Sequence, residues 1–324
     1  NTWTVWNDVG TYFFPQFFTL NYTQSGYNLT TYQKALASKA IAEFEPIGNV
    51  FFSVHNEFPG IGGGSSATGE YVDQVYPWQQ AMADHFHNDG AIVSVNANET
   101  SGMNTKGIEY WSVRASIDIL NFHPYSGTSY NNIDAIGIMF GTMSTYNKVL
   151  MFDESHTFEN STYTDAVTRE MWAAFTNGIY YLAYTDDHDA FADGDPGWVS
   201  RADRILTLKN ISDMGDWWNA TRNPSLVTAG PGQYWQGIAN SGKFYVYYFT
   251  GAKTTTEVLI NLPAGTYNYK WFDTRTWNAN GIASGQIAST GTASITAPVT
   301  ANWNSATGVV LVINKSSTPV PVNG

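Results

Sequence analysis

One feature limits the fold of this chain more than any other: an apolar run ending in a polar residue, followed by an amphipathic stretch, repeated several times. The runs are "NVFFSV" (49–54), "AIVSVNA" (91–97), "IDILNFHPY" (117–125), "KVLMFDES" (148–155) and "IYYLAYTDD" (179–187). Stretches with helical spacing lie between them. Residues 30–44, "TTYQKALASKAIAEF", place Tyr32, Leu36, Ala40 and Phe44 four apart, which predicts one helix face. Residues 76–90, "YPWQQAMADHFHNDG", predict a helix that stops at Gly90. The stretches 106–116, 133–147, 163–178 and 198–215 continue the alternation. Strand and helix in strict alternation imply parallel strands joined by helical crossovers.

Glu57, Asn96, His123, Glu154 and Asp186 mark the polar strand ends, at successive separations of 39, 27, 31 and 32 residues. Those are lengths of βα units. Apolar strand bodies with polar C-terminal ends are the pattern of a (β/α) barrel, whose site lies at that end. A doubly wound sheet would carry a glycine-rich phosphate turn after its first strand, and none is present. "GIGGGSS" (60–66) lacks the Lys-Ser/Thr of a phosphate loop and reads as a flexible loop beside the site.

From about residue 227 the pattern changes to short strands with turns, "QYWQGIAN", "KFYVYYFTG", "TEVLINLP", "TYNYKWFDTRTW", "ASITAP" and "GVVLVIN". The expected architecture is therefore α/β. An incomplete (β/α) TIM-type barrel of about five or six βα units over residues 1–226 precedes an all-β sandwich over 227–324.

Charge narrows the partners. Lys+Arg of 15 against Asp+Glu of 27 gives a net charge of −12. No basic surface is available for nucleic acid or an anionic membrane. Aromatic residues make up 15% of the chain while charged residues make up only 13%. Neutral sugars, gripped by ring faces and by amide and hydroxyl groups, suit that balance. No cofactor motif occurs, and the lack of cysteine excludes disulfides and thiolate metal sites. Sequons stand at Asn21, Asn28, Asn98, Asn160, Asn210, Asn219 and Asn314. They fit an extracellular protein, secreted or at the cell surface. The chain begins with Asn rather than Met, so a signal segment is expected to have been removed.

Glu57 in "FFSVHNE" and Glu154 in "VLMFDES" both follow apolar strands. Two carboxylates across a sugar cleft are the working parts of a glycosidase, one protonated to serve the leaving oxygen, the other ionised. His156 and Trp198 lie on stretches that could line such a cleft, as does Asn96 at its strand end. Asp186, Asp187, Asp189, Asp193 and Asp195 form an acidic loop whose spacing is not that of an EF-hand, so no metal site is assigned there.

On the motifs Asn56-Glu57, "FHPY" and Glu154, the chain resembles the retaining glycoside hydrolases of the large (β/α)8-barrel clan, family 5-like. In these an Asn-Glu pair ends the fourth strand and a second Glu the seventh. "YNYKWFDTRTW" and "GVVLVIN" are similar to an appended collagen-binding-type β-sandwich. The resemblance implies Glu57 as general acid/base and Glu154 as nucleophile. It also implies Asn56 on the sugar 2-hydroxyl, Tyr125 holding the nucleophile ionised and His123 near the leaving group. Tyr184 stands where such enzymes carry a Trp floor.

The sequence departs from that pattern at its start. Residues 2–8, "TWTVWND", could supply a third strand, but nothing is left for strands one and two or for the second-strand Arg. An open parallel edge calls for cover. A homo-oligomer, a second chain after cleavage, or a truncated gene could account for it, and the oligomer is favoured. The competing function is a non-catalytic carbohydrate-binding or cell-surface structural protein derived from a glycosidase.

Overall fold

A computed structural model describes residues 29–48, 50–54, 69–96, 110–122, 147–152, 164–181, 196–232, 234–251, 256–298 and 308–317. The chain divides into two compact units, Asn1–Ser126 with Thr145–Glu154, and Gly127–Ser144 with Ser155–Gly324.

In the first unit, α1 (Thr31–Phe44) is started by a capping box. Thr30 Oγ1 accepts from the Gln33 N–H at 3.2 Å, and the Thr30 N–H donates to Gln33 Oε1 at 2.9 Å. These bonds satisfy two otherwise orphaned donors. The buried stripe of α1 is Gln33, Ala37 and Ile41, one residue round from the expected Tyr32, Leu36, Ala40 and Phe44. Tyr32 is 68% exposed. The reason is local: the cap occupies the Gln33 amide oxygen, so a polar side chain can head the buried face.

β1 (Phe52–Ser53), β2 (Val93–Asn96), β3 (Ile119–Phe122) and β4 (Val149–Phe152) lie side by side in chain order, and each pairing is parallel. α2 (Gly69–Asn88) is the crossover from β1 to β2. Trp78, Gln79, Met82, Ala83 and Phe86 on α2 are all buried, a stripe at helical spacing. α2 ends where sequence placed its stop. Gly90 takes φ +93, and the Ala91 N–H donates back to the Phe86 carbonyl at 3.0 Å. A left-handed glycine lets the chain turn directly into β2.

The second unit uses the same device. α3 (Thr164–Phe175) ends at Gly178, with φ +78, and the Ile179 N–H donates to the Ala174 carbonyl at 3.0 Å. β5 (Tyr180–Tyr181) follows at once. α4 (Pro196–Ser212) packs on α3 through Arg204, which donates to Asp165 Oδ1 at 2.9 Å and to Thr168 Oγ1 at 2.5 Å. Among the described residues no helix is long and apolar enough to cross a membrane.

The remainder of this unit is antiparallel. β6 (Thr221–Arg222), β8 (Tyr234–Asn240), β9 (Phe244–Thr250), β11 (Gly265–Asp273), β12 (Ala283–Ser289) and β14 (Val309–Lys315) form a sheet in the order β12-β11-β14-β9-β8-β6. β7 (Val227–Ala229), β10 (Glu257–Asn261) and β13 (Thr292–Thr296) form another, in the order β13-β10-β7.

All seven residues of β9 are buried, although strands covered on one face alternate. Tyr245, Tyr247 and Phe249 join Val258, Ile260, Ile295 and Trp271 in a cluster shared by the two sheets. On the other face Tyr248 stacks on Trp172 of α3, ring centroids 6.2 Å apart. The two-sided cover explains the unbroken run "FYVYYF". The buried hydroxyls find carbonyls, with Tyr247 donating to Asn223 at 3.0 Å and Tyr267 to Pro263 at 2.9 Å. Burial pushes the Tyr247 and Tyr248 hydroxyls far up, and that of Tyr267 to about 12.

Gly237 lies directly across from Tyr247, and a Cβ there would meet the ring at 2.2 Å. Gly237→Ala is therefore expected to cost about 1–3 kcal/mol in urea unfolding. In a Tyr247→Ala background the same change should cost almost nothing, so equal costs in the two backgrounds would contradict the contact.

Asp273 accepts from the Arg275 guanidinium at 2.9 and 2.6 Å and from its backbone N–H at 2.9 Å. Burial pushes its carboxyl up, but the bonds and charge of Arg275 outweigh this and hold it below the usual range. A depressed carboxylate contributes stability above its unfolded value, about 3.9, and loses it as pH falls through the folded value. The stability gap between the native chain and Asp273→Asn should thus be constant from pH 7 to 5 and shrink below about pH 4. A gap that widened on acidification would contradict this assignment.

Candidate active site

The parallel ladder positions whatever follows its C-terminal edge. Phe52 stacks on Phe86 of α2, centroids 5.1 Å apart, so it faces the helix layer. Alternation turns Ser53 to the opposite face. Ser53 is in register with Ser94, Ser94 with Ile119, and Ile119 with Val149. The next step on the same face pairs Asn96 with Asn121 and Asn121 with Met151. The ladder continues past β1, since the Val54 N–H donates to the Ser94 carbonyl at 3.0 Å. Asp118 anchors the start of the row by accepting from the Val93 N–H at 2.8 Å.

The expected site residues stand just beyond these strands in the sequence. Asn56 and Glu57 follow Ser53, the last residue of β1, by three and four positions. His123 and Tyr125 follow Phe122 of β3 by one and three. Glu154 and His156 follow Phe152 of β4 by two and four, and Tyr184 follows Tyr181 of β5 by three. Asn56, Glu57, His123, Tyr125, Glu154, His156 and Tyr184 lie outside the described residues. Asn96 is the last residue of β2 and Trp198 is in the first turn of α4, and both side chains lie outside the described part. The acidic residues Asp186, Asp187, Asp189, Asp193 and Asp195 lie outside it as well. Among the described residues no group of three or more His, Asp or Glu could hold a metal ion.

One residue of the sheet was not anticipated. Asn121, 4% exposed, is the backbone partner of Asn96 in the register of the β2–β3 pairing, near the strand ends. Its signal in the sequence is an amide inside an apolar run, "ILNF", two positions before His123.

No family model and no curated protein matches the sequence. Solved structures match the fold. A glycoside hydrolase superposes with a TM-score of 0.59 at 12% identity, over 88% of this chain and 69% of that one. A GH39 β-xylosidase from Caulobacter crescentus superposes with a TM-score of 0.39 at 12% identity, over 88% and 72%.

Phe86 links the helix layer to the strand that leads to Glu57, and it is fully buried. Phe86→Ala should lower stability by about 3–5 kcal/mol in denaturant unfolding, and Phe86→Leu by less than about 1.5 kcal/mol. Equal losses would mean that ring volume at this contact does not hold β1 in place. At 12% identity the likeness speaks to the fold alone, and that fold is glycoside-hydrolase-like.

Proposed function

We propose that the chain is a retaining glycoside hydrolase that cleaves β-glycosidic bonds of a polysaccharide or oligosaccharide by double displacement. One observation carries this reading. The parallel strands β1 and β4 end two to four residues before Glu57 and Glu154, in a chain whose fold is glycoside-hydrolase-like.

Glu57 serves as acid/base and Glu154 as nucleophile. In the first step the Glu57 carboxyl protonates the glycosidic oxygen while the Glu154 carboxylate attacks the anomeric carbon. The leaving sugar departs with that proton and a glycosyl ester remains on Glu154. In the second step Glu57, now ionised, takes a proton from water, which attacks the same carbon and frees Glu154. Both steps invert, so the configuration is retained. The mechanism requires the two carboxyl groups about 5–5.5 Å apart. Asn56 binds the 2-hydroxyl, a contact that strengthens in the transition state. Tyr125 donates to Glu154, His123 stands near the leaving group, and Asn96, His156, Tyr184 and Trp198 contact the remaining sugar. Asn121 extends the polar row begun by Asn96.

The same proposal divides the chain into a catalytic part over 1–226 and a β-sandwich over 227–324. It places the protein outside the cell and completes the barrel with a second copy or a second chain.

A panel of aryl β-glycosides and β-glucans tests it. Glu57→Gln and Glu154→Gln are each expected to lower kcat/KM by at least about 10²-fold on whichever substrate the native chain cleaves. For Glu154→Ala, added azide should restore turnover and yield a glycosyl azide of inverted configuration, because the small anion fills the space of the lost nucleophile. Activity equal to native in Glu154→Gln, or none in any form, overturns the enzyme reading. The latter result would favour the second reading, a carbohydrate-binding protein derived from a glycosidase.

A further inference from the structure

Three of the seven sequons fall on described residues, at Asn210, Asn219 and Asn314, and their surroundings differ sharply. Asn210 is inside α4. Its sequon passes through Ile211, which is fully buried, and ends at Ser212, whose hydroxyl already donates to the Lys209 carbonyl at 2.7 Å. Asn314 is inside β14, in register with Asn268 on one side and Phe244 on the other. Its sequon ends at Ser316, whose N–H donates to the Thr266 carbonyl at 2.8 Å and whose Oγ accepts from Gln286 at 3.3 Å. A helical turn and a strand paired on both sides commit the backbone that a transferase has to grip.

Asn219 stands at the surface, at the end of a short 3₁₀ turn, Trp217–Asn219. Ala220 after it is extended, φ −87 and ψ 144. Thr221, the third residue of the sequon, is exposed and opens β6, the last strand in the order of its sheet. β6 pairs with β8 on one side, and no described strand pairs with it on the other. The preceding Trp218 is 62% exposed, an aromatic face beside the acceptor against which an attached sugar can lie.

We propose that Asn219 is an N-glycosylation site of this protein and that the sequons at Asn210 and Asn314 are not used. The donor class is a lipid-diphosphate-linked oligosaccharide. The Asn219 amide nitrogen attacks the anomeric carbon and a C–N bond forms. The anomeric C–O bond to phosphate breaks, and the lipid diphosphate leaves with the electron pair. The amide proton passes to a carboxylate of the transferase. The proposal rests on the extracellular part of the functional reading and is independent of the hydrolysis chemistry.

The test is secretion of the full chain by a host with this transferase, isolation of the folded monodisperse fraction, and peptide mapping by mass spectrometry. The peptide with Asn219 is expected to carry a glycan mass, and those with Asn210 and Asn314 none. Asn219→Gln and, separately, Thr221→Ala should abolish that mass. Folded secreted chain with Asn219 unmodified, or with Asn210 or Asn314 modified as fully as Asn219, overturns the proposal. Hydrolase activity on the substrate panel would stand or fall separately.

Discussion

Parallel strand pairing governs the first half of this molecule. A two-residue turn can join antiparallel neighbours, but parallel ones need a crossover that returns the chain to the same edge. β1 to β4 pair in parallel, in chain order, so each connection starts from one edge of the ladder and re-enters at the other. The C-terminal ends of all four strands therefore lie along one edge of the ladder. The left-handed Gly90 serves the same requirement at the return end, where a helix must stop and a strand begin within three residues, and Gly178 makes a similar turn into β5.

The second half depends on a different constraint, cover on both faces of the central strands. β9 and β14 are the middle of their sheet, and five residues of β14 are buried along with all seven of β9. One face is covered by β7, β10 and β13, the other in part by α3 through Trp172. Further contacts knit the same helix to the antiparallel part. Arg222 Nε donates to Asn177 Oδ1 at 2.5 Å, and Phe175 meets Trp217 with ring centroids 5.5 Å apart. The polar group around Arg204 continues this. Its charge, with that of Asp165, reaches Asp273 and Arg275 on the sheet side.

Sequence made much of this legible where the signal is local. Helical spacing over residues 30–44 announced a helix, Gly90 announced a stop, and apolar runs of four to six residues between turns announced strands. The alternation "EVLIN" in β10 shows one buried face, and its exposure alternates accordingly. Sequence failed where the decision is tertiary. Which stripe of α1 is buried depends on what Gln33 can satisfy through its cap, and that put Tyr32 in solvent. The same holds for the candidate site. A carboxylate after an apolar strand is visible in the string, and so Glu57 and Glu154 could be named. Asn121 could not, because an amide inside a strand gains meaning only from the register that sets it opposite Asn96.

That contrast bears on what the antiparallel part can do. A binding face needs side chains that are free of the core, yet the large aromatics of its central strands are spent on packing. Tyr245, Tyr247, Tyr248, Tyr267 and Trp271 are all fully buried. Even Gly237 is accounted for, since the Tyr247 ring lies over it. A sheet whose rings are committed to its own core and to Trp172 braces α3. Through α3 and its terminal glycine it fixes the start of β5, whose end leads to Tyr184. Its contribution is therefore mechanical. It sets where β5 begins.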